Sequence, residues 1–369
     1  MEYDYLIVGA GLFGCTFAHL ATKHGKKCLV IDKREHVGGN TYCKDIGGIP
    51  VHVYGPHIFH TDNEELYKFI TSLVKVEPFI NSPMAHYKGK MYNLPFNMNT
   101  FNQMYGMILP SEVEEKLKAI RQSYPQPKNL EEKAVQQVGR EIYAVLIKGY
   151  TEKQWGRPCS ELPVSIINRI PVRLTYDNRY FQDRYQFIPV GGYNSLTEKL
   201  LEGSTVLLGE NFFGMKGSWK EVAEKLVFTG RIDEFYDYKF GELEYRSLRF
   251  QRKRIVSVDN FQGVAVVNET DDRVPYTRVV EHKHFYPNAD KVKGTVLTYE
   301  YPASVTETGE AFYPINDEKN SAIYQQYKTF AEKNEKGVIF GGRLAEYKYY
   351  DMDDVMIRAM ELWKSESNR

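Results

Sequence analysis

Cysteine is scarce, with four residues in 369, and none forms a CxxC pair or a metal-ligand spacing. No disulfide framework follows from such a set, and Cys15 and Cys28, set among apolar neighbours, read as core. Long apolar runs are missing as well: nothing approaches the ~20 residues a membrane span needs. No basic-then-apolar leader opens the chain, so the expected location is cytoplasmic. Charge of one sign is also absent, because Lys+Arg 48 balance Asp+Glu 48. A nucleic-acid or anionic-membrane surface needs a basic face, and this balance argues against both as main partners. Tyrosine, by contrast, is abundant at 28 residues. Its rings build cores and sheets, but they also stack on sugars and bases while the hydroxyls meet phosphate.

The length fits two or three structural units. A buried strand over residues 3–8, a helix over 12–23 and a second strand over 27–31 form a β-α-β unit at the start. Ser111 to Glu114 reads as a capping box for a helix to about Gln122, "SYPQPKN" breaks it, and Asn129 caps another to about Lys148. Residues 98–170 are thus expected to form a helical bundle. "RIVSVD", "GVAVVNET", "TRVVEHKHF" and "GTVLTYEYP" are short strands separated by turn residues, as in an antiparallel sheet. Residues 180–188 are grouped with them. The strand in "GVIFGGR" is apolar and joins most simply to the N-terminal sheet.

Gly9, Gly11 and Gly14 in "LIVGAGLFGC" fall between strand and helix. Gly9 permits the tight turn, Gly11 lets a pyrophosphate approach the backbone, and Gly14 lets helix and strand pack closely. Amides at the helix start face the anion. Asp32, ending the second strand, is placed for a ribose hydroxyl. The continuation "DKREHVGGN" resembles the FAD-binding start of large two-domain flavoproteins, and "VIFGGR" resembles their second cofactor contact. The expected cofactor set is Gly9, Gly11, Phe13, Gly14, Asp32, Lys33, Gly39, Asn40, His57, Arg343 and Met352, to which the family resemblance given below adds Arg246. No second glycine-rich β-α-β follows for a nicotinamide. The expected architecture is α/β: a discontinuous Rossmann-like FAD-binding domain (residues 1–80, 189–239 and 315–369), an inserted helical bundle (98–170) and an antiparallel β-sheet domain (81–97, 171–188 and 240–314).

His57 and His60 in "YGPHIFHT" lack further ligands for zinc and suit hydrogen bonds to a cofactor or substrate better. No metal is expected. His282 and His284 alternate in what reads as a strand and are expected to be sheet residues without a ligand. Asp351-Met352-Asp353 matches the DxD of metal-dependent glycosyltransferases, but it precedes a helix, where acidic residues cap. Arginines recur in tyrosine-rich stretches such as "IPVRLTYDNRYF", "LEYRSLRF" and "PYTRVVEHKHF". Guanidinium is a natural bidentate partner of phosphate.

Together "GAGLFG", "HVYGPHIFHT", "GYTEKQWG", "RIPVR", "YDNRYF", "YTRVVEHKHF", "AFYPI" and "GGRLAEYKYYDMD" resemble the UDP-galactopyranose mutase family over nearly the whole chain. The resemblance implies a redox-neutral interconversion of UDP-galactopyranose and UDP-galactofuranose. In that family N5 of reduced FAD attacks the anomeric carbon, and a flavin–sugar iminium permits ring opening. Carried over by motif, Arg169 and Arg278 hold the diphosphate, and Tyr180, Tyr313 and Tyr349 donate to it. Tyr150, Thr151, Trp155 and Asn268 line the nucleoside side, Asn81 and His60 approach the sugar, and Asp351 supports the cluster. Leu146 stands where the family often has Phe, so nucleobase packing is expected to differ. UDP-N-acetylgalactosamine is an alternative substrate, and a flavin amine-oxidase-like oxidoreductase is an alternative enzyme. The family implies a homodimer.

Overall fold

In the computed structural model, which describes residues 1–168 and 171–368, the first strand, Tyr3–Val8, lies in the middle of a five-stranded parallel sheet. Cys28–Asp32 and then Thr205–Leu208 lie on one side of it, Ala223–Phe228 and then Val338–Phe340 on the other. Parallel neighbours need long crossovers, and here most of the chain serves as crossover. The apolar 338–340 run thus reaches the N-terminal sheet. The helix Leu12–Lys23 packs against the last helix, Met352–Ser367, through Phe17, which meets Tyr5 and Trp363 edge-on at 5.4 and 5.5 Å. Each such pair adds about 0.5–1.5 kcal/mol beyond burial of the rings.

A seven-stranded sheet runs in the order Tyr313–Pro314, Tyr245–Ile255, Thr295–Ser304, Arg278–Glu281, Val266–Glu269, Met84–Tyr87 and Lys90–Asn93. Its pairs are antiparallel except where Val266–Glu269 meets Met84–Tyr87. One strand departs from expectation: Tyr185–Pro189 stays out of this sheet and pairs with Phe59–Thr61 and Val76–Pro78. Its alternation marks a strand but does not name the neighbour, which tertiary packing decides.

The helical segment has its own core, including Phe101, Val113, Leu117, Leu130, Ala134 and Ile142. Its first long helix begins one residue before the expected cap. Pro110 takes the first helical position, and the Glu112 carboxylate accepts from the Leu109 and Ile108 amides at 2.9 and 3.0 Å. Asn129 caps as expected, its side chain accepting from the Glu132 amide at 2.9 Å. That helix stops at Val138, because Gly139 adopts φ 91. The chain then makes a short helix, a π-helical turn over Tyr143–Lys148 and the helix Gly149–Trp155. Wide turns of this kind concentrate at functional sites. His282 and His284 lie beyond the strand end, in the 3-10 turn His282–Phe285. Among the described residues no helix is long and apolar enough to cross a membrane.

Candidate active site

The glycine turn after the first strand is a close-packed cradle. A Cβ on Gly9, where φ is +108, would stand 2.0 Å from Thr229 Oγ1, and one on Gly14 would stand 2.0 Å from the Gly9 carbonyl oxygen. Gly11 is different, since its Cβ would meet only Gly39 Cα, at 3.9 Å. The backbone there is bare, as close approach by a phosphate requires. Gly39 folds over Gly11, and the Gly38 amide donates to the Ala10 carbonyl at 2.8 Å. These residues fit a dinucleotide.

Asp32 has a structural task as well as the expected one. Its carboxylate accepts from the Ala10 amide at 2.8 Å and from the Arg34 amide at 2.9 Å, and lone pairs remain for a ribose hydroxyl. Lys33 faces Glu310 at 3.4 Å, and Asn40 Oδ1 accepts from Arg34 Nη1 at 3.1 Å. Phe13 is buried beneath the Gly341–Gly342 turn, where a Cβ on Gly341 would strike its ring at 2.1 Å. Only its backbone is available to a cofactor.

A cavity of about 430 Å³ gathers the remaining expected residues, apart from Arg169, from distant segments. One wall comes from the large sheet. There Arg278 pairs directly with Asn268 on one neighbouring strand and with Glu300 on the other. Opposed residues share a face, so one row carries amide, guanidinium and carboxylate. Arg278 Nε donates to Glu300 Oε2. Burial works most strongly against the charge of Arg278, but Glu300, together with the neighbouring Tyr150 and Tyr313, outweighs it and keeps the guanidinium protonated. A second wall is the helix Gly149–Trp155, with Tyr150, Thr151 and Trp155, preceded by Leu146 in the π-helical turn.

The third wall joins Tyr313, Arg343, Tyr349, Asp351 and Met352. Tyr313 and Tyr349 stack with ring centroids 5.9 Å apart, and the Arg343 guanidinium lies 5.2 Å from the Tyr349 ring centre. Asp351 is the N-cap of the last helix, its amide donating to the Asp354 carboxylate at 3.2 Å. Asn81, His60, Tyr180 and Arg246 complete the lining. His60 stacks on Phe181 at 3.7 Å and meets Asp183 at 3.1 Å. Arg246 Nε donates to the Gln154 carbonyl at 3.1 Å, tying two walls together. Arg169 lies outside the described residues. Among the described residues no group of three or more His, Cys, Asp or Glu comes together to hold a metal.

His57 lines the cavity and belongs to a buried imidazole network. Its Nδ1–H donates to the Gly55 carbonyl at 2.8 Å, which leaves Nε2 as an acceptor. His52 Nδ1 accepts from the His57 amide at 2.9 Å, so His52 Nε2–H donates to the Tyr286 hydroxyl at 2.7 Å. His282 Nε2 meets Thr298 Oγ1 at 2.7 Å. Burial pulls His57 down to about 4 and His282 to about 3, and holds His52 well below the ordinary value. All three are neutral when folded and protonate on unfolding. The unfolded chain therefore binds more protons below its own histidine value of ~6.5, and stability falls as pH drops through it. Between pH 6.5 and 4.5 the expected loss is about 2 kcal/mol for each of the fully buried His52 and His282, and less for His57, which is half-buried at the cavity wall. The urea midpoint measures it, and a midpoint flat over that range would contradict the network.

Two participants carried no signal in the sequence. Glu300 becomes the partner of Arg278 only through strand register, and Arg34 is placed by folding 4.1 Å from the Tyr54 ring centre.

Fold and cavity define a class: a Rossmann-like dinucleotide-binding protein with a second cavity lined by Arg246, Arg278 and Arg343. The sequence pattern of the family described as UDP-galactopyranose mutase matches residues 145–349, and that of an NAD(P)-binding Rossmann-like domain matches residues 7–73. The chain is 39% identical to the dTDP-fucopyranose mutase of Escherichia coli, over 96% of each chain. It is 36% identical to the Klebsiella pneumoniae protein named "Probable UDP-galactopyranose mutase", over 97% of this chain and 93% of that one. Its fold matches the crystal structure of reduced UDP-galactopyranose mutase with TM-score 0.76 at 13% identity, covering 100% of this chain and 94% of the other. The chain belongs to the UDP-galactopyranose mutase family. Membership implies a flavin cofactor, which the cradle suits.

Proposed function

We propose that this chain interconverts UDP-galactopyranose and UDP-galactofuranose without net redox change, with FAD in its reduced form as cofactor. The observation that carries the reading is the convergence, on one cavity, of the Glu300-paired Arg278 with Arg343, Tyr313 and Tyr349. Such a cluster suits a diphosphate that leaves and returns within one turnover. Bound and reduced, FAD supplies the nucleophilic nitrogen that a redox-neutral exchange at an anomeric carbon requires.

The residues of the chain bind, orient and neutralise. Arg278 offsets the charge that develops on the departing diphosphate, joined by hydroxyl donation from Tyr180, Tyr313 and Tyr349. Arg169 adds a second guanidinium by family resemblance. Tyr150, Thr151, Trp155 and Asn268 hold the nucleoside, Asn81 and His60 face the sugar, and Asp351 supports the arginine–tyrosine cluster. A recessed cavity limits water at the reacting carbon. The working unit is a homodimer.

The Escherichia coli relative favours a second reading, the same ring contraction on a dTDP-linked fucose. Leu146 is smaller than the Phe the family often carries and leaves room for a thymine methyl. One anaerobic experiment tests both. UDP-galactofuranose, its N-acetylated counterpart and dTDP-fucofuranose are each incubated with oxidised and with dithionite-reduced enzyme. Conversion only in reduced samples, with no net flavin oxidation, is expected. A tenfold preference for the dTDP sugar would install the second reading. No conversion by loaded, reduced enzyme would bring the amine-oxidase-like chemistry forward.

A further inference from the structure

The helix Gly149–Trp155 supplies four cavity-lining residues, and between them stands Lys153, which does not line the cavity. The Lys153 ammonium donates to the carbonyl oxygens of Glu269, Asp271, Val274 and Tyr276 at 2.9, 2.8, 3.0 and 3.0 Å. All four belong to the end of the strand Val266–Glu269 and the turn that leads to Arg278–Glu281. Those strands bear Asn268 and Arg278. One cation thus sits in a ring of backbone dipoles, its three N–H groups shared among four acceptors.

The helix is seated directly on this turn. A Cβ on Gly149 would stand 2.2 Å from the Thr270 carbonyl oxygen. The turn is braced in its own right: Arg273 grips Asp271 at 2.6 Å, and His86 holds the Glu269 carboxylate at 2.7 Å. The ammonium thus bridges the helix and a turn that has side-chain ties of its own.

We propose that Lys153 is a positioning residue: its ammonium holds the helix wall and the strand wall of the cavity at the single spacing that binds the nucleotide. The choice of ligand rests on the nucleotide-sugar reading above. The titratable and charged groups around Lys153 are Glu269 and its partner His86, Asp271, Asp272 and Arg273 in the turn, Tyr276, and on the adjoining strand Tyr299 and the Arg278-paired Glu300. Burial draws Lys153 down to about 8, against the opposing pull of Glu269, Asp271 and Asp272. Once neutral, the amine has two N–H groups for four carbonyls and turns a lone pair toward them. Apparent affinity then follows the protonated fraction, giving about a fourfold rise in Kd from pH 7 to pH 8.5.

The test is UDP binding to flavin-loaded enzyme, with KM and kcat, for wild type, Lys153→Met and Lys153→Arg. Lys153→Met is expected to raise Kd and KM about tenfold or more, with kcat within about threefold and full cofactor content. Lys153→Arg keeps a charge that does not titrate. It is expected to bind within about threefold of wild type at pH 7 and to lose the rise at pH 8.5. If Lys153→Met fails to fold, Lys153→Arg still decides. A folded Lys153→Met with wild-type Kd, or a Lys153→Arg that retains the pH rise, overturns the proposal. So does a collapse of kcat at constant KM. Should wild type bind neither UDP nor dTDP, the nucleotide-sugar reading fails first and this proposal with it.

Discussion

Arg278→Ala lowers kcat/KM by about three orders of magnitude, the loss expected when a preorganised donor to transition-state charge is removed. The same substitution also strands Glu300, whose side chain is 1% exposed, whose Oε2 accepts from Arg278 and whose Oε1 has no hydrogen-bond partner among the described residues. Leaving one half of a buried ion pair unpartnered costs about 3–5 kcal/mol of stability. The two effects separate in the double variant Arg278→Ala with Glu300→Gln. It regains most of the stability, because the buried charge has gone, and none of the activity, because the cation is still missing. Urea midpoints and steady-state kinetics on the three proteins check this. A double variant that recovers turnover would mean that Arg278 serves the fold and not the diphosphate.

Gly11→Ala weakens flavin binding by about a hundredfold while leaving the apoprotein as stable as wild type to within ~1 kcal/mol. Its φ of -78 suits any residue, and the nearest atom to an added methyl is 3.9 Å away, so the fold accepts alanine. What the methyl occupies is the approach of the pyrophosphate. Gly14→Ala behaves differently, because its methyl meets a carbonyl oxygen at 2.0 Å and must displace backbone. That variant loses cofactor and stability together. Visible absorbance of the purified proteins and their urea midpoints distinguish the two patterns. A Gly11→Ala protein with full cofactor would place the phosphates elsewhere.

The cradle was legible in the sequence because its parts are local: a strand, three glycines, a helix and an aspartate within one β-α-β unit. The 338–340 strand could also be assigned, since its apolar run, bounded by glycines, joins most simply to the N-terminal parallel sheet, where it forms the edge. The cavity was not legible from spacing. Asn268, Arg278 and Glu300 form a row through antiparallel register, and no single strand encodes that register. Family resemblance named most residues that the cavity gathers, but it gave no hint of Lys153 or Glu300. A lysine on a charged helix looks solvated, and its carbonyl partners are backbone groups that any sequence would supply. The paired histidines of the 282–284 stretch misled for a related reason: alternation survives one step past the strand end, where the chain has already turned.

The cofactor site is assembled from segments that lie far apart in the order of synthesis. Gly9 rests on Thr229, Phe13 on Gly341 and Gly342, and the first helix on the last. A ribosome releases the phosphate-binding turn long before the strand Val338–Phe340 that closes its sheet and the helix Met352–Ser367 that covers it. Non-local pairings of this kind form slowly and leave strand edges open meanwhile. A chain cut short before Val338 therefore carries every glycine of the fingerprint and still lacks a site. Colour in the purified protein then reports on more than occupancy: it shows that the 338–367 segment has been made and has closed upon the first β-α-β unit.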